Sequence, residues 1–172
     1  MSGGLSGGVP YILCAEEAYE KYGVSELPKV RDYGFSGLHF IDELTAVEVM
    51  PCCHPEHSVN RTEAEGYYRK LARLSRELFG GFQSESWMDY MNSDVDYVLY
   101  CSFHSRHPSG DNPLFDDYIL LWQLVYHGIV MSNPSSETVN YTLKDEKTHL
   151  YFIEFGGRPL MYLFSKFGEK KN

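Results

Sequence analysis

The chain is short of basic charge, of long apolar runs and of regularly paired cysteines, and each shortage excludes a class of protein. Its 15 Lys and Arg stand against 24 Asp and Glu, a net charge of −9. Binding to a phosphate backbone draws most of its affinity from clustered Lys and Arg, so nucleic acid is not an expected partner. No stretch approaches the roughly 20 apolar residues needed to cross a bilayer, and no membrane span is expected. The opening Met-Ser-Gly-Gly-Leu-Ser-Gly-Gly carries neither the basic nor the apolar region of a signal peptide, and residues 1–10 read as a flexible lead-in. Compartment is left undetermined.

Cys14, Cys52, Cys53 and Cys101 lack the spacing of a disulfide framework, and a chain of 172 residues does not need one, so free thiols are expected. The run Cys52-Cys53-His54-Pro-Glu-His57 holds thiolate and imidazole donors that suit zinc. Adjacent cysteines are not finger spacing, however, and no second pair follows. The expectation is therefore no metal and no cofactor. No internal repeat or long linker appears, and residues 11–172 read as a single α/β domain.

What the chain does have is apolar and aromatic residues, 43% and 15% of the whole, including 14 Tyr and 10 Phe. That content argues for a packed domain and against disorder, and it also suits carbohydrate contacts, although core packing is the commoner reason. Tyr11 to Cys14 is a short apolar run, and Ala15 to Tyr22 has helix formers ending at Gly23. Ser25 is expected to cap a second short helix stopped by Gly34. Gly37 to Ile41 reads as a strand. The clearest helix is expected to begin at Thr62, with Glu65 completing a capping box. Its apolar stripe is Ala64, Tyr67, Tyr68, Leu71, Leu74 and Leu78. Gly80 and Gly81 stop it and lead into a strand around Phe82 to Ser84. Further strands are expected at Tyr97 to Cys101, within Leu124 to Ser132 and within Tyr151 to Phe155, with Leu160 to Phe164 either a strand or a last helix. Strands this apolar are expected to be buried on both faces.

Two carboxylates close successive strands: Asp42 after Gly-Leu-His-Phe-Ile, and Glu85 in Gly-Gly-Phe-Gln-Ser-Glu-Ser-Trp. In parallel α/β folds functional groups collect at the carboxyl ends of the strands. Hydrolysis of a glycosidic bond uses two such groups, about 5 to 5.5 Å apart for retention and farther apart for inversion. Asp42 can equally be a turn former or helix cap. Glu85 lies near Trp87, where an apolar surround would raise its pKa towards that of a general acid, or where the indole is plain core. His54, His57 and Arg61 follow the first carboxylate and can meet sugar hydroxyls, a substrate anion or only solvent. Asn133 lies in a turn at another strand end. His39 alternates away from Phe40 and Asp42, and a hydrogen-bonded structural role suits it better. Asp94 and Asp96 precede a strand and suit turns. In the irregular segment His104 to Asp116, Asp111 and Asn112 are candidates for the pocket mouth. Trp122 and Gln123 fall in a helical stretch that favours core.

Several segments together resemble a bacterial family of glycosidase-like barrel proteins related to the endo-α-N-acetylgalactosaminidases. They include Tyr-Gly-Phe-Ser-Gly-Leu-His-Phe-Ile-Asp, His-Pro-Glu-His-Ser-Val-Asn-Arg, Phe-Gly-Gly-Phe-Gln-Ser-Glu, Trp-Gln-Leu-Val-Tyr-His-Gly-Ile, Ser-Asn-Pro-Ser-Ser-Glu-Thr-Val-Asn-Tyr and Glu-Phe-Gly-Gly-Arg-Pro. The resemblance implies a retaining glycoside hydrolase acting on an α-linked sugar of a glycan or glycoconjugate, with Asp42 as nucleophile and Glu85 as acid/base. His57, Arg61, Trp87 and Asn133 are the expected substrate contacts, and carbohydrate is the expected partner. The implied fold is a partial (β/α)8 TIM-type barrel, the carboxyl-terminal strands of a larger one. An incomplete barrel exposes a sheet edge, so self-association and weak activity of the isolated chain are expected. The alternative is a non-catalytic carbohydrate-binding or structural domain derived from such a barrel.

Overall fold

The computed structural model describes residues 11–99, 101, 121–133, 150, 153–154 and 156–158. It is an α/β fold whose described strands form one four-stranded sheet in the order β1-β2-β3-β4: Gly37–Ile41, Gly80–Glu85, Tyr97–Leu99 and Met131–Asn133. β2 pairs parallel with β3, and β3 with β4. Parallel neighbours need crossovers, and the 19-residue helix α3, Arg61–Phe79, lies between β1 and β2 in sequence. The chain divides into two compact units, one of residues 1–39 and 47–82 and the other of residues 40–46 and 83–172.

In the first unit, α1 (Ala15–Glu17) runs through a π-helical stretch, Ala18–Gly23, into α2 (Val24–Asp32). The expected break at Gly23 and cap at Ser25 are absent. Instead the Ser25 hydroxyl donates back to the Lys21 carbonyl at 2.7 Å, a bond made within a continuing helix. Gly23 permits a close approach: a Cβ there would lie 2.8 Å from Leu71 Cδ1, the end of a flexible side chain, and a tight 3.2 Å from the Ala18 carbonyl oxygen.

α3 starts earlier than the sequence pattern suggested. Asn60 is its cap, accepting from the Glu63 amide at 3.0 Å, while the Glu63 carboxylate accepts from the Asn60 amide at 2.8 Å. Its buried line is Ala64, Tyr68, Ala72, Ser75 and Phe79, whereas Leu71, Leu74 and Leu78 are half-buried on the flank. Small residues at the centre allow close packing, and the leucines cover the margins. Gly80 ends the helix with φ 104°, a conformation glycine adopts without a Cβ clash. His39 packs as a structural residue, stacked on Phe79 at 4.3 Å with Nδ1 3.1 Å from Ser75 Oγ.

β1 departs from the expected double burial, with Leu38 and Phe40 both exposed. α4, Leu121–Tyr126, takes the start of the segment expected to hold a strand, and β4 forms only after it. Ile153 and Glu154 are helical within the segment where a fifth strand was expected to fall. Residues 104–116 and 160–164 lie outside the described residues. Among the described residues, no helix is long and apolar enough to cross a membrane.

Candidate active site

The second unit holds both candidate carboxylates. Asp42 is exposed in the turn after β1, and Glu85 is the half-buried last residue of β2. The peptides around them are held by a buried polar clamp. Ser84 Oγ donates to the Ile41 carbonyl at 2.7 Å and accepts from the Thr45 amide at 3.2 Å. Thr45 Oγ1 bonds the Glu85 carbonyl and lies 3.2 Å from the Ser86 carbonyl. Thr45 and Ser84 are both 0% exposed, so each of these bonds satisfies a group that water does not reach.

Immediately after each carboxylate comes a left-handed residue, Glu43 at φ 56° and Ser86 at φ 54°. Both are non-glycine, and backbone of this kind persists where surrounding structure over-determines it. At Ser86 that structure is visible: its amide donates to the Leu99 carbonyl at 2.6 Å and its carbonyl faces Thr45.

Register then carries Glu85 across the sheet. Glu85 pairs with Leu99 and Leu99 with Asn133, so Glu85 and Asn133 occupy one row at the carboxyl ends of their strands and share a face. Asn133 is fully buried and its Nδ2 donates to the Arg158 carbonyl at 3.2 Å. The neighbouring row, Ser84, Val98 and Ser132, is buried on the opposite face.

Trp87 belongs to an aromatic group, 4.7 Å from Tyr126 and edge-on to Trp122 at 5.7 Å. Its indole N–H donates to Asp89 Oδ1 at 3.2 Å, and the Tyr126 hydroxyl donates to the same oxygen at 2.8 Å. Asp89 thus fixes both rings. In the adjoining α4 the Gln123 amide is buried with neither its oxygen nor its nitrogen hydrogen-bonded. Sequence reading missed Thr45, Ser84 and Asp89, since an isolated Thr or Ser carries no pattern that distinguishes a clamp from a loop.

His57 and Arg61 belong to the first unit: His57 in the loop before α3, Arg61 exposed as its first residue. Cys101 is buried, and burial pushes its thiol up to about 11, so it is no ready nucleophile at neutral pH. Burial likewise pushes the Tyr97 hydroxyl up to about 12. Asp94 is buried in the turn before β3, where its amide bonds the Met91 carbonyl at 2.9 Å, in keeping with a turn-forming role. A cavity of about 330 Å³, lined by residues 127–132 and 156–158, includes none of the expected site residues. The clamped strand ends are therefore the stronger candidate site.

No protein-family model and no curated protein matches the chain. Solved structures do match, and they define the class: a segment of a glycosidase fold, in agreement with the glycosidase-related resemblance in the sequence. The matching structures, to which this chain is similar, include the α-N-acetylgalactosaminidase NagBb from Bifidobacterium bifidum. Its ligand-free form matches at TM-score 0.75 and 24% identity, covering 95% of this chain and 27% of that chain. Its complex with Gal-NHAc-DNJ matches at TM-score 0.65 and 25% identity, over 74% of this chain and 20% of that one. The GalNAc complex gives 0.59 and 25% identity, over 69% and 19%. The chain thus spans about a quarter of the length of this structural relative.

Proposed function

We propose that the chain is part of the catalytic region of a retaining glycoside hydrolase acting on an α-linked N-acetylgalactosamine or a similar sugar, within a (β/α)8-type barrel. The observation that carries the reading is the clamp. Two carboxylates stand at the ends of adjacent strands, Asp42 just after β1 and Glu85 closing β2, and one buried Ser84–Thr45 network ties the peptides beside both. The match to an α-N-acetylgalactosaminidase fold supports the same assignment.

In this mechanism the Asp42 carboxylate attacks the anomeric carbon as the glycosidic C–O bond breaks. Glu85 delivers its proton to the departing oxygen. The Glu85 carboxylate then takes a proton from water, whose oxygen displaces Asp42 from the anomeric carbon and regenerates both groups. Fixed strand ends matter because misplacement by about 1 Å can cost on the order of 100-fold in rate. Trp87, held by Asp89, offers a sugar an aromatic face, and Asn133 shares Glu85's row.

The test is turnover of an aryl α-N-acetylgalactosaminide by Asp42→Asn and Glu85→Gln, made in the full-length parent barrel that this reading implies. Each should lose on the order of 100- to 10,000-fold, the usual range for a positioned proton donor, with the nucleophile at least as sensitive. Azide added to Asp42→Gly should yield the glycosyl azide of inverted configuration, and added to Glu85→Gly the retained one. Wild-type turnover in either conservative variant would remove that residue from the mechanism. Calorimetric sugar binding without any product would favour the carbohydrate-binding alternative.

A further inference from the structure

The first unit brings together three residues that the sequence keeps apart. Cys14 sits just before α1, and Cys52 and His57 belong to the loop leading to α3. Two sulfurs and one imidazole nitrogen all lie within 4.8 Å of one another. Cys52 Sγ is 3.4 Å from His57 Nδ1, and Cys14 Sγ reaches the His57 carbonyl at 3.6 Å.

These spacings are close to those of a metal site. A tetrahedral zinc with bonds of about 2.3 Å to sulfur and 2.0–2.1 Å to nitrogen separates its ligands by roughly 3.5 to 3.8 Å. Little movement is needed to close three atoms around one ion. The backbone is already set for it: Cys52 and Val59 form an antiparallel bridge with reciprocal bonds of 2.9 and 3.0 Å. Within the bridged loop the His57 amide turns back onto the His54 carbonyl at 3.3 Å, and the His54 and His57 rings stack at 4.0 Å. All three donors are partly exposed, which gives an ion a way in, and neither Cys14 nor Cys52 is tied up in a disulfide.

We infer that Cys14, Cys52 and His57 form a binding site for a zinc-class transition metal, with the fourth coordination position open to water or an exogenous ligand. Two thiolates and an imidazole select such an ion over calcium or magnesium, which prefer oxygen. Binding forms two sulfur–metal bonds and one nitrogen–metal bond, and releases the protons carried by the two thiols. Cys53 is exposed and outside the cluster, which makes it the control.

The experiment titrates the reduced full chain with cobalt(II) and then zinc(II). One cobalt per chain should bind with thiolate-to-metal charge transfer and tetrahedral d–d bands, and zinc should displace it. Cys14→Ser, Cys52→Ser and His57→Ala should each weaken zinc binding by about 100-fold or more, beyond what loss of an outer partner usually costs. Cys53→Ser should change nothing. Zinc should also shield Cys14 and Cys52, but not Cys53, from iodoacetamide in the unmodified chain, a readout that needs no variant to fold. Octahedral cobalt without charge transfer, equal alkylation with and without zinc, or a Cys14–Cys52 disulfide as the stable form would overturn the inference.

Discussion

The two compact units are filled with different material. The first buries Ala15, Val59, Ala64, Tyr68, Ala72, Phe79 and Phe82, with Ser75 its one buried polar residue among those described. The second buries Thr45, Ser84, Ser86, Asp94, Gln123, Ser132 and Asn133 beside Met91, Val95, Val98, Cys101 and Val130. Apolar burial is non-directional and tolerates small shifts, whereas a buried hydroxyl or amide stabilises only when its partner stands at one place. The first unit is built to be stable and the second to be specific about geometry, and the second carries both candidate carboxylates.

Substitutions at three positions sharpen or break this contrast. The largest effect is expected from Phe79→Ala, which empties the apolar core and removes the ring under His39. Denaturant unfolding should show a loss of about 3–5 kcal/mol. Thr45→Val keeps the shape but strips the hydroxyl from the Glu85 and Ser86 carbonyls, and the same measurement should show about 1–3 kcal/mol. If the clamp also aims the carboxylates, turnover should fall further than that stability loss explains, and Thr45→Ser should restore it. A Thr45→Val cost equal to that of Phe79→Ala would erase the distinction between the units.

The smallest effect concerns pH. Burial lowers the His39 pKa from its ordinary value, so the folded chain holds fewer protons there than the unfolded chain. Its contribution is present above about pH 6.5 and is lost as pH falls from there towards the lowered value. One proton tilts stability by at most about 1.4 kcal/mol per pH unit. Unfolding of wild type and His39→Gln between about pH 8 and pH 5 should therefore differ, with the variant flatter. Identical slopes would show that His39 titrates freely.

The local patterns were legible where one signal stood alone. Gly37 to Ile41 forms the strand read from its residues, and His39 takes the structural place that alternation assigned to it. Where two signals overlapped, tertiary structure chose. Asn60–Glu63 and Thr62–Glu65 both fit a capping box, and the Cys52–Val59 bridge just before Asn60 favours the earlier one. The stripe on α3 was read as Ala64, Tyr67, Tyr68, Leu71, Leu74 and Leu78. Ala64 and Tyr68 do lie on the buried line, which continues through Ala72, Ser75 and Phe79 rather than the leucines, because periodicity underweights small residues. The carboxylates were visible as strand-terminal residues, but the Thr45–Ser84 clamp was not, because its partners lie 39 residues apart. Cys14 was equally unreadable as a companion of Cys52 and His57 until folding brought the three together.

The left-handed residues Glu43 and Ser86 bear on how this fold tolerates improvement. Glycine at either position would relieve roughly 1 kcal/mol of backbone strain, but it would also add about as much freedom to the unfolded chain. A screen for heat resistance would barely notice the change. The peptide after each carboxylate, however, would gain directions in which to swing. Durability and aim are thus decoupled at these two joints, and selection for one alone would leave the other unguarded.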